Sequence, residues 1–359
     1  MVYPRIRYAN SFDVDRILEI ARQYRDELGY VHPAALREHI KARSVLVVEW
    51  HGNVWGFVEY HARRDGWSVV YHIAVDKHMT NRGLGRNLLY AVPTPFRLKV
   101  TQDNVVANMF YRGAGMHFVG VETGKKRNLN VYELKVLCVL VFGNGKDDFF
   151  PRAARASGMA YGVRHCEQAR AWPYMLDIDW RNYDWNDYLH KVARWSPVQA
   201  TVADYEHRDQ RKQLYRQIRD LRALGVLRIM VCPKFPGAIS HIPTWCVTAI
   251  SIPSSYAGYI PPISEVEGRR VHMLGGSPPN QRKWQLILQG AGARVISADM
   301  NSHTGAARKA GFWNGTSWKS FGPRKMTEQD YFDMIVESGR NISKMLNANV
   351  GLSQHAMFN

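Results

Sequence analysis

The chain has 359 residues, 46% of them hydrophobic and 12% aromatic, and its 48 Lys and Arg outnumber 31 Asp and Glu to leave a net charge of +17. That length and apolar content imply two domains with cores of their own and exclude a disordered chain. No apolar run approaches the roughly 18 residues of a membrane span, and a basic excess spread over both halves points to a polyanionic partner such as nucleic acid.

Arg5 to Ala9 is a short strand candidate. Asp13 opens a helix in which Ile17, Leu18, Ile20, Ala21, Tyr24 and Leu28 keep the 3.6 period and Gly29 closes it. A second helix runs from Pro33 to Arg43. Ser44 to Glu49 reads as a strand, His51-Gly52-Asn53 as a turn, and Val54 to His61 and Trp67 to Val75 as further strands. The stretch VDKHMTNRGLGRNLLY then joins Val75 to a helix start through Asn81, Arg82, Gly83, Leu84, Gly85 and Arg86. A strand, a glycine turn and a helix N-terminus form an anion site, because free N–H groups and the helix dipole face outward and glycine lets a phosphate approach. Two arginines add charge-assisted donors. A tight strand-to-helix turn explains the two glycines equally well. Phe96 to Thr101 is another strand, Asn104 to Gly115 a helix, and Met116 to Glu122 with Asn130 to Val136 a closing strand pair.

This order resembles the GNAT acyltransferase superfamily over about 135 residues. IAVDKHMTNRGLGRNLL is similar to the family's acetyl-CoA loop, and VTQDNVVANMFYRGAGMHFVG to its following segment. Two departures are visible: Thr80 stands where the loop usually has Arg or Gln, and Pro93 and Pro95 cut the next helix short. The resemblance implies direct attack of an amine on a thioester, with acetyl-CoA or another acyl-CoA as cofactor. Its pyrophosphate would lie on Asn81 to Arg86. A backbone N–H around Ile73 to Val75 would hold the thioester carbonyl. Tyr111 would protonate the leaving thiolate, unless its ring simply packs in the core. Asn104 or Asn108 would contact the pantetheine or cap the helix. Glu59, His61 and His72, on strands where alternate side chains face a cleft, are the candidates for general base.

Beyond Val136 the pattern changes. Phe142 to Ala156 reads as a junction, and strands then alternate with helices: Tyr174 to Trp180, Val198 to Tyr205, Leu227 to Cys232, Cys246 to Ile252, Arg270 to Leu274 and Arg294 to Ala298, with helices at 185–193, 210–224 and 281–290 and a closing helix from Arg324. Repeated βα units argue for a parallel sheet closed into a barrel. In such barrels polar residues at the C-terminal strand ends form the site, and Asp177, Asp179, Asp204, Ser251, Gly275, Gly276 and Asp299 fall there. MLDIDW, VADYE, HMLGGSP and ISADMNSHTGAARKAG resemble segments of the tRNA-guanine transglycosylase barrel and its DNA-acting phage and bacterial relatives. That resemblance implies Asp299 as nucleophile at C1′, Asp177 as general acid and base, Asp204 on the base edge, and Gly275-Gly276 as the floor beneath the base. The scattered Cys138, Cys166, Cys232 and Cys246 offer no zinc set and no disulfide framework, so no metal is expected and a reducing cytoplasm is, a host's if the chain is phage-encoded.

The expectation is therefore an α/β chain: a GNAT α+β fold at 1–138, a junction at 139–156, a compact TIM-barrel-like (β/α) domain with its closing helix at 157–349, and a tail at 350–359. Its function would be bifunctional modification of a nucleic-acid base, with DNA or RNA and a free or modified base as partners and no membrane. Two other readings stand beside it: an N-acetyltransferase on a small amine or protein lysine whose barrel is a binding module, and a nucleic-acid-binding protein without catalysis.

Overall fold

The computed structural model describes residues 3–124, 127–141, 147–179, 182–253, 259–322 and 325–348. The first domain is built from β1 (Arg5–Tyr8), α1 (Val14–Arg22), α2 (Arg25–Leu28), α3 (Pro33–Lys41), β2 (Val45–Trp50), β3 (Asn53–Ala62), β4 (Ser68–Val75), α4 (Leu84–Ala91), β5 (Phe96–Thr101), α5 (Val105–Gly113), β6 (His117–Thr123) and β7 (Asn128–Leu134). Its seven strands form one sheet in the order β1-β2-β3-β4-β5-β7-β6. Strand alternation sends Val45, Val47, Phe57 and Ala74 to α1 and α3 on one face. Leu46, Val58, Val70 and Leu98 go to α4 and α5 on the other.

The helix expected from Asp13 to Gly29 is two pieces. Asn10, not Asp13, caps the first turn, and Asp13 instead holds Arg7 at 2.7 Å. The chain breaks at Tyr24, whose hydroxyl reaches across to donate to the Val75 carbonyl at 2.7 Å. Tertiary bonding here overrides a continuous apolar period.

The second domain comprises β8 (Leu137–Val141), α6 (Phe149–Ser157), β9 (Ala160–Arg164), β10 (Met175–Asp177), α7 (Trp185–Trp195), β11 (Gln199–Thr201), α8 (Arg211–Ala223), β12 (Arg228–Val231), β13 (Val247–Ser251), β14 (Arg270–Leu274), α9 (Pro278–Gly290), β15 (Arg294–Asp299), α10 (Ser302–Ala307), β16 (Gly311–Trp313), β17 (Trp318–Ser320) and α11 (Glu328–Asn347). Eight strands, β8 to β15, close into a barrel, and every pair in it is parallel. β16 and β17 form a separate hairpin.

The expected junction at 139–156 needs correction. Leu137–Val141 is a barrel strand, paired with β15 and β9, and its five side chains are all buried. Phe149–Ser157 is a helix that buries Phe149, Phe150, Ala153 and Ala154. Only Lys135 and Val136 separate the sheet from the barrel. Asn347 at the end of α11 clamps them, its Oδ1 accepting from both N–H groups and its Nδ2 donating to the Val136 carbonyl. Within the expected junction, residues 142–146 lie outside the described residues, as do Trp180, Arg324 and the expected tail.

The two prolines that shorten α4 have a structural consequence. The chain leaves α4 at Ala91 and turns into the barrel's lower mouth. Val92 is fully buried in one cluster with Tyr174, Val198 and Val247, which stand at the N-terminal ends of barrel strands. Thr94 donates to the Ile296 carbonyl at 3.0 Å. Arg228, buried at the start of β12, donates to the carbonyls of Ala91 and Val92 and to the Tyr174 hydroxyl. Placing a cation on the carbonyl end of a helix satisfies both the helix's orphan acceptors and its dipole. Gly115 and Gly158 meet backbone to backbone, and a Cβ on Gly115 would stand 2.3 Å from the Gly158 carbonyl oxygen. The first domain is thus a stopper for one end of the barrel.

Candidate functional site

In the first domain the site begins with a failure of strand pairing. β4 and β5 run parallel and pair only at Ser68, Val69 and Val70 with Phe96, Arg97 and Leu98, although β4 continues to Val75 and β5 to Thr101. On its other edge β4 stays paired with β3 up to Val75. Asp76 N–H donates to the Trp55 carbonyl, so 55 and 76 are a bonded pair. Bonded and non-bonded pairs alternate in an antiparallel ladder. The backbone polar groups of Ile73 and Val75 therefore face away from β3, into the gap that β5 has left.

The glycine turn stands at the end of this gap. Asn81 has φ 63° and Gly83 φ 80°, and Gly83 is the N-cap of α4. A left-handed cap needs glycine to avoid strain. Asp76 holds the approach to the turn: it accepts from His78 N–H at 2.9 Å, Arg16 at 2.7 Å and Gln23 at 2.9 Å. Thr80 is exposed and bonds only locally, to the Lys77 carbonyl. Arg82 is exposed, with its guanidinium 6.0 Å from the centre of the Trp50 ring. Arg86 is committed elsewhere: it donates to the Arg155 carbonyl on α6, which ties the turn's helix to the barrel. Leu84 is buried in the core, and Gly85 lets Phe110 and Val75 approach.

On the α1/α3 face of the same strands lies a polar triad. Glu59 on β3 is 3% exposed, and its carboxylate takes a hydrogen bond at 2.6 Å from Nδ1 of His72 on β4 and a short one from Nδ1 of His39 in the last turn of α3. Burial acts to raise the Glu59 pKa, but the bonds from His72 and His39 outweigh it and hold the carboxyl below its ordinary range. Both histidines are partly exposed, and the exposed Tyr71 stacks on His39. Glu59 and His72, expected as competing bases, belong to one assembly. His61 stands apart, exposed near the end of β3. His39 escaped the sequence reading because a lone histidine in a helix's last turn looks like dipole compensation.

The remaining expected residues divide. Tyr111 is buried beside Phe110 and Tyr132, and burial pushes its phenol pKa up. Asn104 caps α5 by accepting from Ala107 N–H at 2.9 Å. Asn108 is consumed as a staple: its Nδ2 donates to the Thr101 and Asn104 carbonyls, and its Oδ1 accepts from Asn130 and the Tyr132 hydroxyl. It has no free polar atom for a pantetheine, which removes it from the expected cofactor contacts.

The second candidate site is the barrel's upper lumen. Asp177 ends β10, Asp299 ends β15, and Asp204 follows β11. Asp177 accepts from Thr201 at 3.1 Å. Burial raises its pKa, the Asp299 and Asp204 carboxylates push the same way, and together they overcome the Thr201 bond to bring it to about 7. Gly275 N–H donates to Asp299 Oδ1 at 3.0 Å, and Gln281 Nε2 donates to the Gly275 and Asp299 carbonyls. Gly275 and Gly276 both have positive φ, and a Cβ on Gly276 would collide with Ile252 at 2.7 Å, so that turn requires glycine. His272 is fully buried, bonded through Nδ1 to Ser297, with Nε2 unpartnered 3.8 Å from Asp299. Asp204 pairs with Lys234 at 3.2 Å, and burial, its largest influence, raises its pKa. Thr201, His272, Gln281 and Lys234 were missed. A polar residue inside an apolar strand, such as His272 in RVHML, was the available signal. Among the described residues no cluster of three or more potential metal ligands occurs.

Comparison with known proteins matches the two parts of the chain to different families. Residues 154–347 match the model described as "Family of unknown function (DUF6610)". Residues 14–116 match the model of the "Acetyltransferase (GNAT) family". No curated protein matches. Among solved structures, Ard1 from Thermoplasma volcanium is 23% identical, over 38% of this chain and 99% of its own, with a TM-score of 0.35. The ribosomal-protein-S18-alanine N-acetyltransferase of Escherichia coli is 17% identical over 37% and 93%, with a TM-score of 0.31. YncA of Salmonella typhimurium, solved with its cofactor acetyl-CoA, is 18% identical over 37% and 93%, with a TM-score of 0.32.

Proposed function

The chain belongs to the family of unknown function DUF6610, whose model takes in most of the barrel, and we propose that it is a two-site enzyme in which a GNAT-type N-acyltransferase is seated on that barrel. The observation that carries the first half is the parting of β4 from β5, with the backbone of Ile73 and Val75 turned into the gap and the glycine turn at its end. Acetyl-CoA, or another acyl-CoA, would enter there. The amides of Asn81 to Arg86 would take the pyrophosphate and the Ile73 N–H the thioester oxygen. The acceptor amine attacks the thioester carbon, the C–S bond breaks, and the sulfur leaves with its electron pair. His72, oriented by Glu59, takes the proton from the amine. Tyr111, kept protonated by burial, supplies the thiolate's. Titration calorimetry with acetyl-CoA tests this reading: binding by the wild type and its loss in Gly83→Val are expected, and a wild type that binds no acyl-CoA would end it.

The second half of the proposal is displacement, in the barrel, at the glycosidic carbon of a nucleotide within a polynucleotide. Asp299 attacks C1′, the C1′–N bond breaks, and the base nitrogen leaves with the electron pair and takes a proton from Asp177. An incoming base nitrogen then displaces Asp299 and returns a proton to Asp177. Asp204 and the Gly275-Gly276 turn would hold the base. Two carboxyl groups with unlike environments support this reading, since one must hold a proton while the other attacks. A protein–oligonucleotide adduct that survives denaturation in the wild type and is absent from Asp299→Asn is the expected result, and an adduct that persists would exclude that nucleophile.

A further inference from the structure

α8 has two unlike faces. Leu214, Ile218 and Leu221 bury one against the barrel. The opposite one carries Arg211, Lys212, Arg216, Arg219 and Arg222, all exposed, and none of the five has an ion pair among the described residues. The helix's own carboxylate, Asp220, is turned aside and takes the Trp185 indole N–H. Two aromatic rings lie among the cations: Tyr215, 41% exposed beneath Arg211, and Trp245, 39% exposed with Arg222 4.9 Å from its centre. At the helix's N-terminal end a pocket of about 120 Å³ opens, lined by Tyr183, Asp204, Tyr205, Gln210, Gln213 and Gln217.

We propose that the outer face of α8 holds the phosphodiester backbone of a single-stranded or locally opened polynucleotide, and that the adjoining pocket takes one of its bases. The proposal rests on the reading that the barrel acts on a polynucleotide, and it gives that substrate a place. Five cations without an ion pair among the described residues, along about three helical turns, offer a phosphate chain a run of partners longer than a short acidic peptide requires. Exposed aromatics beside the arginines are platforms on which unstacked bases rest. Gln213 and Gln217 donate through Nε2 to the Tyr183 hydroxyl, at 3.2 and 3.4 Å, which fixes their amides so that the carbonyl oxygens are the edges offered to a base. A base already out of the stack is what a site at a barrel mouth requires.

The test is fluorescence anisotropy with short labelled single-stranded DNA and RNA, read against salt. The full-length wild type is compared with the variant Arg211→Ala/Lys212→Ala/Arg216→Ala/Arg219→Ala. A second variant, Arg22→Ala/Arg25→Ala/Arg37→Ala/Arg64→Ala, removes the same charge from exposed positions of the first domain. For single strands each lost phosphate contact flattens the salt slope by about 0.7. The α8 variant is therefore expected to lose a slope of roughly 3 and at least tenfold in affinity, and the control to keep both. Gln213→Leu, which removes no charge, is expected to weaken binding severalfold at unchanged slope. Equal losses in the two charge variants would overturn the face, and undiminished affinity in Gln213→Leu would overturn the pocket. Tighter binding to anionic lipid vesicles through the same arginines would make this a membrane surface instead. A wild type that binds neither DNA nor RNA would bring down the polynucleotide reading itself.

Discussion

The two candidate sites each place a carboxyl group below the protein surface, and they treat it in opposite ways. Glu59 is buried between two N–H donors, His39 and His72, and the bonds hold it ionised. Asp177 is half-buried among other carboxyl groups, with one hydroxyl donor, and is pushed up to about 7. Burial alone would raise both. The difference comes from the neighbours, and it separates two uses: a fixed anion that orients a histidine, and an acid that holds its proton near neutrality. In the acyltransferase reading no carboxyl group has to change charge. In the barrel reading one must, at every step.

That contrast is broken first by removing Asp299, the carboxylate proposed to attack. Asp299→Asn keeps the shape of the side chain that accepts from Gly275 N–H. Base exchange or excision is expected to fall by several orders of magnitude, as when an active-site nucleophile is deleted, while acetyl-CoA affinity stays at the wild-type value. A parallel loss of CoA binding would show that the two sites are one functional unit.

A smaller effect is expected in the first domain. Glu59→Gln keeps one acceptor toward the histidines but loses the charge. Acyl transfer should drop by roughly 10²-fold, the usual worth of a positioned proton acceptor, with CoA affinity unchanged. His39→Ala should give a milder loss, because His72 still contacts Glu59. A drop in CoA affinity in either variant would place the triad in cofactor binding.

Much of this was legible in the residues. The glycine turn, the strand before it and the strand-end aspartates announce themselves through local chemistry: positive φ at Gly83, Gly275 and Gly276, and polar groups where apolar strands stop. What the chain hid was set by distant partners. Leu137–Val141 is equally apolar as a last sheet strand or a first barrel strand, and only its pairing with β15 and β9 decides. Asn108 read as a cofactor contact or a helix cap because nothing local reveals that Asn130 and Tyr132 occupy its Oδ1. The proline pair after α4 read as damage to a cofactor helix. It turns Val92 and Thr94 into the barrel's lower mouth, and no local rule foretells that.

The Asp177 environment also has a signature in stability. The ordinary aspartate value is 3.8, and the folded value is about 7. Below about pH 4 both folded and unfolded chains hold this proton. Between there and about pH 7 the folded state keeps it while the unfolded state releases it. Stability from this group is therefore fully present in acid and declines as pH rises, by up to about 1.4 kcal/mol per unit. Thermal unfolding from pH 5 to 8 should show a falling Tm in the wild type and a flatter one in Asp177→Asn. A slope that Asp177→Asn leaves untouched would mean that Asp177 and Glu59 are not opposites after all.

The smallest expected effect asks whether the two sites share one folding unit. Thr94→Val deletes the hydroxyl that donates to the Ile296 carbonyl but keeps the shape that fits the barrel's lower mouth. A buried acceptor left without its donor costs about 1–3 kcal/mol. Because Val92 and Arg228 still join the domains, the loss should lower a single cooperative transition rather than split it. Calorimetry would read either one shifted peak or two. Two peaks would mean that the barrel and the sheet stand independently, so that the contrast between their carboxyl groups is a contrast between two proteins on one chain. One peak would mean that the sheet and the barrel unfold as one cooperative unit, held together at Arg86, Val92 and Arg228.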